Sequence, residues 1–262
     1  HVYNEKKATG GNIVNQTIET ILSHRSIRKF EDKSLTEEQI RTIVKSAQAA
    51  STSSFVQAYS IIGIKDKAKK KRLAELAGNQ SYVEDNGHFF VFCADFHRHA
   101  LIGEMEDTDV TSSIESTEKF MVAVIDASLA AQNASVVAES MGLGICYIGG
   151  LRTNIAEVAE LLKMPANTIP LFGLAVGYPA QDTGVKPRLP MENVYHEEEY
   201  QQDEKVFKEQ LEAYNQEISG YYHERTQGKR SDTWTSQMAG MLKEPKRMHM
   251  KGFVEKQGFA KK

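Results

Sequence analysis

The stretch EKFMVAVIDASLAAQNASVVAESMGLGICYIGG, residues 118–150, decides the fold. Its first part, Glu118 to Met141, is apolar nearly all round and rich in alanine, and Gly142 stands where a helix-ending glycine belongs. The pattern predicts a long helix that other helices approach closely, either in the core of a large domain or at a subunit interface. The run Ile145 to Ile148 then predicts a buried strand that leads into a glycine pair.

Helices and strands are also predicted on both sides of this stretch. β-branched or apolar runs bounded by turn residues predict three more strands, at Tyr59 to Ile64, His88 to Ala94 and Leu171 to Val176. Apolar residues at helical spacing predict helices that begin at Thr17, Thr36, Asp66 and about Asn154. Gln39 stands three residues after Thr36, the spacing of a capping box. The acidic segment from about Ile102 to Ser116 is expected to be irregular.

Composition excludes several classes of partner. The chain has 262 residues and a formal net charge of −3, so nothing global favours nucleic acid or an anionic membrane. The apolar stretch from Phe120 to Gly150 is interrupted by polar residues, and we expect no transmembrane helix. Cys93 and Cys146 lie inside apolar runs, which indicates buried thiols and a reducing, cytoplasmic location. Residues 1–12 resemble a tag or a frayed leader and are left out of the fold prediction.

Common catalytic motifs fail when they are tested. Gly142 and Gly144 suggest a dinucleotide fingerprint, but Tyr147 occupies the third glycine position. The sequence contains no P-loop, no HExxH, no CxxC and no GxSxG motif. His97 and His99 stand two residues apart on a predicted loop and are interpreted as surface histidines. No metal site is expected.

Three short segments carry the chemistry. His24-Arg-Ser-Ile-Arg28 places two guanidinium groups, an imidazole and a hydroxyl within five residues, a set that suits a phosphate group, although a solvated basic turn has the same spacing. Lys186-Pro-Arg188 is a second basic pair in a rigid segment. Gly149-Gly150 follows a predicted strand, and glycines there allow backbone N–H groups to approach a flat ligand.

The near-neutral net charge of the chain includes the opposite charges of an acidic block and a basic block near the C-terminal end. Residues 192–217 contain nine acidic and two basic side chains, whereas residues 223–262 contain ten basic and four acidic ones. A solvated helix face followed by a basic tail explains this equally well on charge alone. However, Trp234, Phe253 and Phe259 lie in the basic block, which indicates that it packs against something.

Taken together and in order, these segments resemble the FMN-dependent nitroreductase family, in particular its NADPH-preferring nitro/flavin reductase branch. The resemblance extends from about Thr17 to Gly258. It is carried by TIETIxxHRSIRxF at 17–30, SxSSF at 51–55, FFVFCAD at 89–95, AAQNASxxAESMGLGICYIGGLR at 130–152, IPLFGLAVGYPA at 169–180, KPRLP at 186–190 and ERTxGKRxDTW at 224–234.

The resemblance implies an α+β fold with a central, mostly antiparallel sheet flanked by helices. It further implies a single domain over residues 13–262 with an extended C-terminal arm. The family forms homodimers with FMN at the interface, and the long apolar helix is then expected in that interface.

The resemblance also implies the residues that bind FMN. The phosphate, ribityl chain and ring edge are assigned to His24, Arg25, Ser26 and Arg28. Ser51, Thr52, Ser53, Ser54 and Gln80 are expected to line the ring and the ribityl chain from the other subunit. The isoalloxazine is expected to be covered by Tyr147, Ile148, Gly149, Gly150 and Leu151, with the Gly150 N–H directed at N5. Lys186 and Arg188 are expected near N1 and the C2 carbonyl or the phosphate, where Arg28, Lys186 and Arg188 tune the flavin.

The implied activity is a ping-pong transfer of hydride from NADPH through FMN to nitroaromatics, quinones or free flavin. Arg225, Lys229 and Arg230 match the mobile loop that contacts the NADPH 2′-phosphate in this branch. No catalytic general base is expected, because the hydride chemistry belongs to the cofactor. The alternatives are a non-catalytic FMN carrier or sensor, an NADH-preferring flavin reductase, and a structural protein whose site has decayed.

Overall fold

An inner strand of the sheet is buried along its whole length in the computed structural model, which describes residues 14–262. This strand, β2, spans His88–Asp95. The others are β1 (Tyr59–Ile64), β3 (Gly144–Ile148) and β4 (Thr168–Gly177). They form one sheet in the order β1-β2-β4-β3 with every pair antiparallel, which confirms the predicted fold class.

Both faces of the sheet carry helices because β2 is apolar on both sides. Phe90 and Phe92 belong to the larger apolar cluster, together with residues of α2 (Glu37–Gln48) and α7 (Thr117–Ser140). Phe89 and Val91 point the other way, into a cluster with residues of α3 (Lys67–Leu76) and α8 (Ile155–Leu161).

The remaining helices lie around these layers or in the C-terminal part of the chain. They are α1 (Gln16–Leu22), α4 (Ser81–Glu84), α5 (His97–Met105), α6 (Thr111–Ile114), α9 (Met191–Val194), α10 (Glu204–Arg225), α11 (Trp234–Leu242) and α12 (Met250–Lys256).

The long helix α7 is the predicted one to within a residue at each end, and Gly142 adopts φ +78° just beyond it. It is long and apolar enough, by length and composition alone, to cross a membrane. Its alanines from 127 to 138 are instead buried against the sheet and α2. The Thr36 capping box is also present, with Thr36 Oγ1 accepting from the Gln39 N–H and the Gln39 side chain accepting in return.

One predicted loop is wrong. His97 and His99 lie on α5, and the segment 102–116, expected to be irregular, contains the end of α5 and all of α6. The N-cap of α5 is Phe96, which makes no side-chain cap hydrogen bond, and Asp95 Oδ1 accepts from the His97 N–H at 2.8 Å instead. Asp95 is also the last residue of β2, so in the sequence it reads as part of a strand and does not indicate that a helix begins.

The chain divides into two compact units. The first comprises the described residues up to 183 together with 249–262, and the second is Gly184–Met248. In the first unit, Phe259 is fully buried and its ring meets the rings of Phe96 and Phe120 edge-on, which confirms that this end of the basic block packs into a core. The expected single domain over 13–262 stays a prediction, and the expected tag or leader at residues 1–12 lies outside the described residues.

The second unit is built from α9, α10 and α11. Tyr214, Ile218 and Tyr222 on one face of α10 are buried, and Leu189, Tyr221 and Trp234 pack against them. Trp234 begins α11 and meets the Tyr214 ring edge-on, with centroids 5.8 Å apart. The single tryptophan of the chain is thus an anchor of this small core.

Candidate functional site

The segment His24–Arg28 lies along the edge of the sheet beside β3. The Ile27 N–H donates to the Ile145 carbonyl at 2.9 Å, and Ser26 forms an isolated parallel bridge with Ile145. The Ile27 side chain is 3% exposed and packs directly on Gly144. A Cβ at position 144 would lie 2.7 Å from the Ile27 side chain, so the contact requires glycine there. The buried isoleucine therefore anchors a strand-like segment whose polar side chains flank it.

Two carboxylates pair with the polar side chains of this segment. His24 Nδ1 lies 2.6 Å from Oε1 of Glu139, a largely buried residue near the end of α7. Arg25 Nε donates to Asp182 Oδ1 at 2.9 Å. Arg28 is exposed and is in no ion pair among residues 14–262. Burial raises the pKa of the Cys146 thiol, and the nearby Arg28 guanidinium partly opposes that rise.

The predicted ring-covering segment follows directly on β3. Tyr147 turns toward α7, where its hydroxyl accepts from Ser135 Oγ at 2.8 Å and donates to Gln132 Oε1 at 3.3 Å. The short 3-10 turn Gly149–Arg152 comes next, and its Leu151 side chain is fully buried. Because His24–Arg28 runs beside β3, the structure brings two of the predicted cofactor segments to the same sheet edge.

Gly150 and Gln80 lie against each other. A Cβ at position 150 would stand 2.6 Å from both the Ala77 carbonyl oxygen and Gln80 Nε2, so only glycine fits. The Gln80 amide is fixed, since Nε2 donates to the Ala77 carbonyl and Oε1 accepts from the Tyr82 hydroxyl at 2.6 Å. Gln80 was expected to serve the flavin of the other subunit. In the structure this residue lies beside Gly150 of its own chain, and its expected role toward the flavin stays a prediction.

The loop 51–57 is held by one buried carboxylate. Asp126 on α7 is fully buried, and its two oxygens accept from the Ser53 N–H at 3.1 Å and the Ala58 N–H at 3.0 Å. Ser54, Phe55 and Gln57 have φ values of 48°, 56° and 53°, a left-handed conformation that costs energy in non-glycine residues. The two charge-assisted hydrogen bonds offset that cost.

The structure separates this loop from the His24–Arg28 segment within one chain. Asp126 and Glu139, which hold the two segments, are thirteen residues apart on α7, or about 20 Å along its axis. Ser51, Thr52, Ser53 and Ser54 therefore cannot contact the same phosphate as His24 of their own chain. Neither carboxylate was singled out as a site residue from the sequence. The available signal was an acidic residue inside an alanine-rich helix.

The second unit contains the Lys186-Pro-Arg188 segment. Lys186 Nζ donates to the Tyr222 hydroxyl at 2.6 Å, and the Tyr214 hydroxyl donates to the Pro187 carbonyl at 2.9 Å. Burial disfavours ionisation of Tyr222. The hydrogen bond from Lys186, together with the Lys186 charge, nevertheless holds the pKa of this phenol below its usual value. Arg188 remains exposed.

The predicted nucleotide loop follows the end of α10. Arg225 is the last residue of α10, and its guanidinium donates to the Tyr221 hydroxyl at 2.9 Å. The chain then turns at Gly228, which has φ +80°, and the Arg230 N–H donates to Thr226 Oγ1 at 2.8 Å. Arg230 also pairs with Asp232 and covers the Tyr222 ring, while Lys229 is exposed. All three predicted cations thus lie at the end of α10 or in the turn that follows it.

Comparison with known proteins identifies the chain. The family model described as "Nitroreductase family" matches residues 21–178, and "Nitroreductase family, C-terminal domain" matches residues 186–262. The chain belongs to the nitroreductase family. Within residues 14–262 no group of three or more His, Cys, Asp or Glu side chains is placed to hold a metal ion.

Individual members of the nitroreductase family align over nearly the whole chain. FMN reductase (NADPH) of Bacillus subtilis is 56% identical over 95% of this chain and 100% of its own length. The structure of B. megaterium NfrA1 is 68% identical, with a TM-score of 0.93 over 94% of this chain and all of that one. NADPH:FMN oxidoreductase from Vibrio harveyi, complexed with NAD+, is 42% identical with a TM-score of 0.86, over 95% of this chain and 100% of its own.

Proposed function

We propose that this chain is an FMN-dependent NAD(P)H oxidoreductase that takes hydride from NADPH and reduces small planar acceptors. The observation that carries the proposal is the meeting of the His24–Arg28 segment, the Tyr147–Leu151 segment and Gln80 at one edge of the sheet. The relatives named FMN reductase (NADPH) and NADPH:FMN oxidoreductase support it.

The side chains at this edge fit FMN. Arg28 is exposed and in no ion pair within residues 14–262, so its guanidinium is available to a phosphate. His24 has its Nδ1 committed to Glu139, which leaves Nε2 for a ligand. At Gly150 the absence of a side chain lets the backbone pack against Gln80, and these polar groups suit the edge of a flat ring.

Each group of residues has a distinct task in this proposal. His24, Arg25, Ser26 and Arg28 bind the phosphate and the ribityl chain. Tyr147, Ile148, Gly149, Gly150 and Leu151 cover the ring, and Gln80 orients its edge. Lys186 and Arg188 offset negative charge on the reduced ring. Arg225, Lys229 and Arg230 bind the 2′-phosphate of NADPH. Bound FMN supplies the redox chemistry, accepting hydride and passing the electrons on.

The homodimer belongs to the same proposal. Met121, Ile125 and Leu129 recur every four residues on α7 and are about half exposed, and Phe55 is 81% exposed on the loop that Asp126 holds. An apolar stripe of this kind is covered by another surface in a stable protein. A second copy covers it here and presents Ser51, Thr52, Ser53 and Ser54 to the flavin of its partner.

The acceptor is a flat oxidant such as a nitroaromatic, a quinone or free flavin, because a site defined by stacking discriminates such molecules weakly. The two buried free cysteines, Cys93 and Cys146, support a reducing, cytoplasmic location. Neither nucleic acid nor a membrane is proposed as a partner.

An anaerobic titration of the FMN-loaded protein with NADPH tests the function. Stoichiometric bleaching of the flavin absorbance, reversed by menadione or nitrofurazone, is the expected result. A flavin that binds but is not reduced by NADPH or NADH would instead establish a carrier or sensor. Protein that cannot be loaded with FMN at all would overturn both.

A further inference from the structure

Tyr222 contacts cations from both predicted basic groups of the second unit. Lys186 Nζ donates to its hydroxyl at 2.6 Å and lies 5.0 Å from its ring centroid. The Arg230 guanidinium lies 4.4 Å from the same centroid. Tyr222 is 6% exposed, and its hydroxyl donates to Gln237 Oε1 at 3.4 Å. One buried ring is therefore shared by a flavin-side cation and a nucleotide-side cation.

The two contacts use different parts of the side chain. The hydroxyl oxygen accepts the charge-assisted hydrogen bond from Lys186 and so fixes the direction of a long, flexible amine. The ring face attracts Arg230 through the aromatic quadrupole, a contact that needs no hydroxyl. Removing the hydroxyl alone and removing the whole ring are therefore separable changes.

Tyr221 provides a natural comparison one residue earlier on α10. Its hydroxyl accepts from Arg225 at 2.9 Å, and the Arg225 guanidinium lies 5.8 Å from its ring. The rings of Tyr221 and Tyr222 meet edge-on with centroids 5.5 Å apart. Neighbouring positions on a helix point about 100° apart, so each tyrosine serves a different cation.

The geometry points to Tyr222 as a positioning residue that holds Lys186 for the flavin through its hydroxyl and Arg230 for the NADPH 2′-phosphate through its ring. This inference rests on the proposed function, which assigns Lys186 and Arg230 to those two ligands. Tyr222 is then a residue that contacts a cation of the proposed flavin site and a cation of the proposed NADPH site. The contact of Arg225 with Tyr221 is a separate one.

Three single variants test this, with binding as the readout. Dissociation constants are measured for FMN with apoprotein, by flavin fluorescence quenching, and for NADP+ and NAD+ with the oxidised holoprotein. Tyr222→Phe is expected to weaken FMN binding about 3- to 10-fold while keeping the NADP+ preference. Tyr222→Leu is expected to lose, in addition, about 3- to 10-fold of the preference for NADP+ over NAD+. Tyr221→Phe is expected to weaken NADP+ and leave FMN unchanged.

A double-mutant cycle distinguishes positioning from a general structural role. In a Lys186→Met background, Tyr222→Phe is expected to have no further effect on FMN binding, because its effect passes through Lys186. Thermal midpoints are recorded for every variant. Additive losses in the cycle, or a Tyr222→Phe protein with parental FMN affinity, would overturn the inference.

Measurements on the parent protein distinguish a failure of this inference from a failure of the proposed function. A parent that fails to bind FMN, or that binds NADP+ no more tightly than NAD+, contradicts the assignment of the sites themselves. A parent that shows both properties, combined with a Tyr222→Leu variant that retains the parental NADP+ preference, contradicts only the role of Tyr222.

Discussion

Oε1 of Glu139 lies 2.6 Å from Nδ1 of His24, and this contact joins the long helix α7 to the proposed phosphate site. The contact fixes which edge of the imidazole faces the protein and leaves Nε2 for a ligand. The Glu139 carboxylate thus restricts the orientation of the His24 ring, whereas the side chains of a solvated basic turn would be free to rotate. Under the proposed function, Glu139 acts on the cofactor only through His24.

Glu139→Ala is expected to weaken FMN binding about tenfold, because the imidazole loses a hydrogen bond to a charged partner. Glu139→Gln keeps an acceptor and is expected to lose less. Fluorescence titration of apoprotein with FMN measures both. Glu160→Ala, on the exposed side of α8, is the matched control. Parental affinity in Glu139→Ala would contradict the orienting role.

The sequence predicts the long helix, four strands and the basic segments well because those signals are local. Capping at Thr36 and the apolar pattern of α7 need only neighbouring residues. The contacts of Glu139 and Asp126 are with partners 115 and 73 residues away, and the acceptor at the start of α5 is the last residue of a strand. Likewise, the packing of Gln80 on Gly150 joins positions 70 residues apart, and no local pattern predicts it.

Asp126→Asn is expected to lower the free energy of unfolding by about 2 kcal/mol, since either the buried Ala58 N–H or the partly buried Ser53 N–H then faces an amide donor. Urea denaturation measures this. Asn133→Ala, which removes a single exposed hydrogen bond to the Ser46 carbonyl, is the control and should cost less than about 1 kcal/mol. Equal losses in the two variants would show that the loop 51–57 does not depend on the Asp126 carboxylate.

His88 makes stability depend on pH. Burial is the main cause that lowers the pKa of this imidazole to about 4, and the charges of Lys65 and Lys70 add to it. The unfolded chain therefore binds a proton at higher pH than the folded one does. The contribution of His88 is complete above pH about 6.5 and is lost as pH falls toward 4, by about 3 kcal/mol in total.

His88→Leu removes the titrating group and is expected to flatten the stability curve between pH 6.5 and 4 relative to the parent. Urea denaturation at half-unit pH steps gives the two slopes. His223→Leu, at an exposed position on α10, should keep the parental slope. A His88→Leu protein whose curve parallels the parent would show that another group causes the acid sensitivity.

Ile125→Glu places a charge in the exposed apolar stripe of α7 and is expected to break the proposed dimer, because that charge must be desolvated in an interface. Sizing chromatography with detection at flavin wavelengths should show monomers that have lost FMN. Lys71→Gln, on the exposed side of α3, lowers the net charge by the same one unit and is the control. A monomer that keeps its flavin would mean that one chain completes the site.

Arg225→Ala tests the nucleotide loop. Arg225 is exposed at the end of α10 and has its guanidinium directed by Tyr221, so a 2′-phosphate can replace solvent around it. Loss of one charge-assisted contact of about 1.5 to 3 kcal/mol should raise the KM for NADPH about 10- to 100-fold. NADH has no 2′-phosphate, and its KM should change far less. The difference should shrink at high salt, because the contact is solvent-exposed. Lys243→Ala, an exposed lysine just after α11, should leave both KM values unchanged. Equal increases in KM for NADPH and NADH in Arg225→Ala would show that Arg225 does not contact the 2′-phosphate. The same assay on Lys229→Ala and Arg230→Ala would then show whether one of those residues makes the contact.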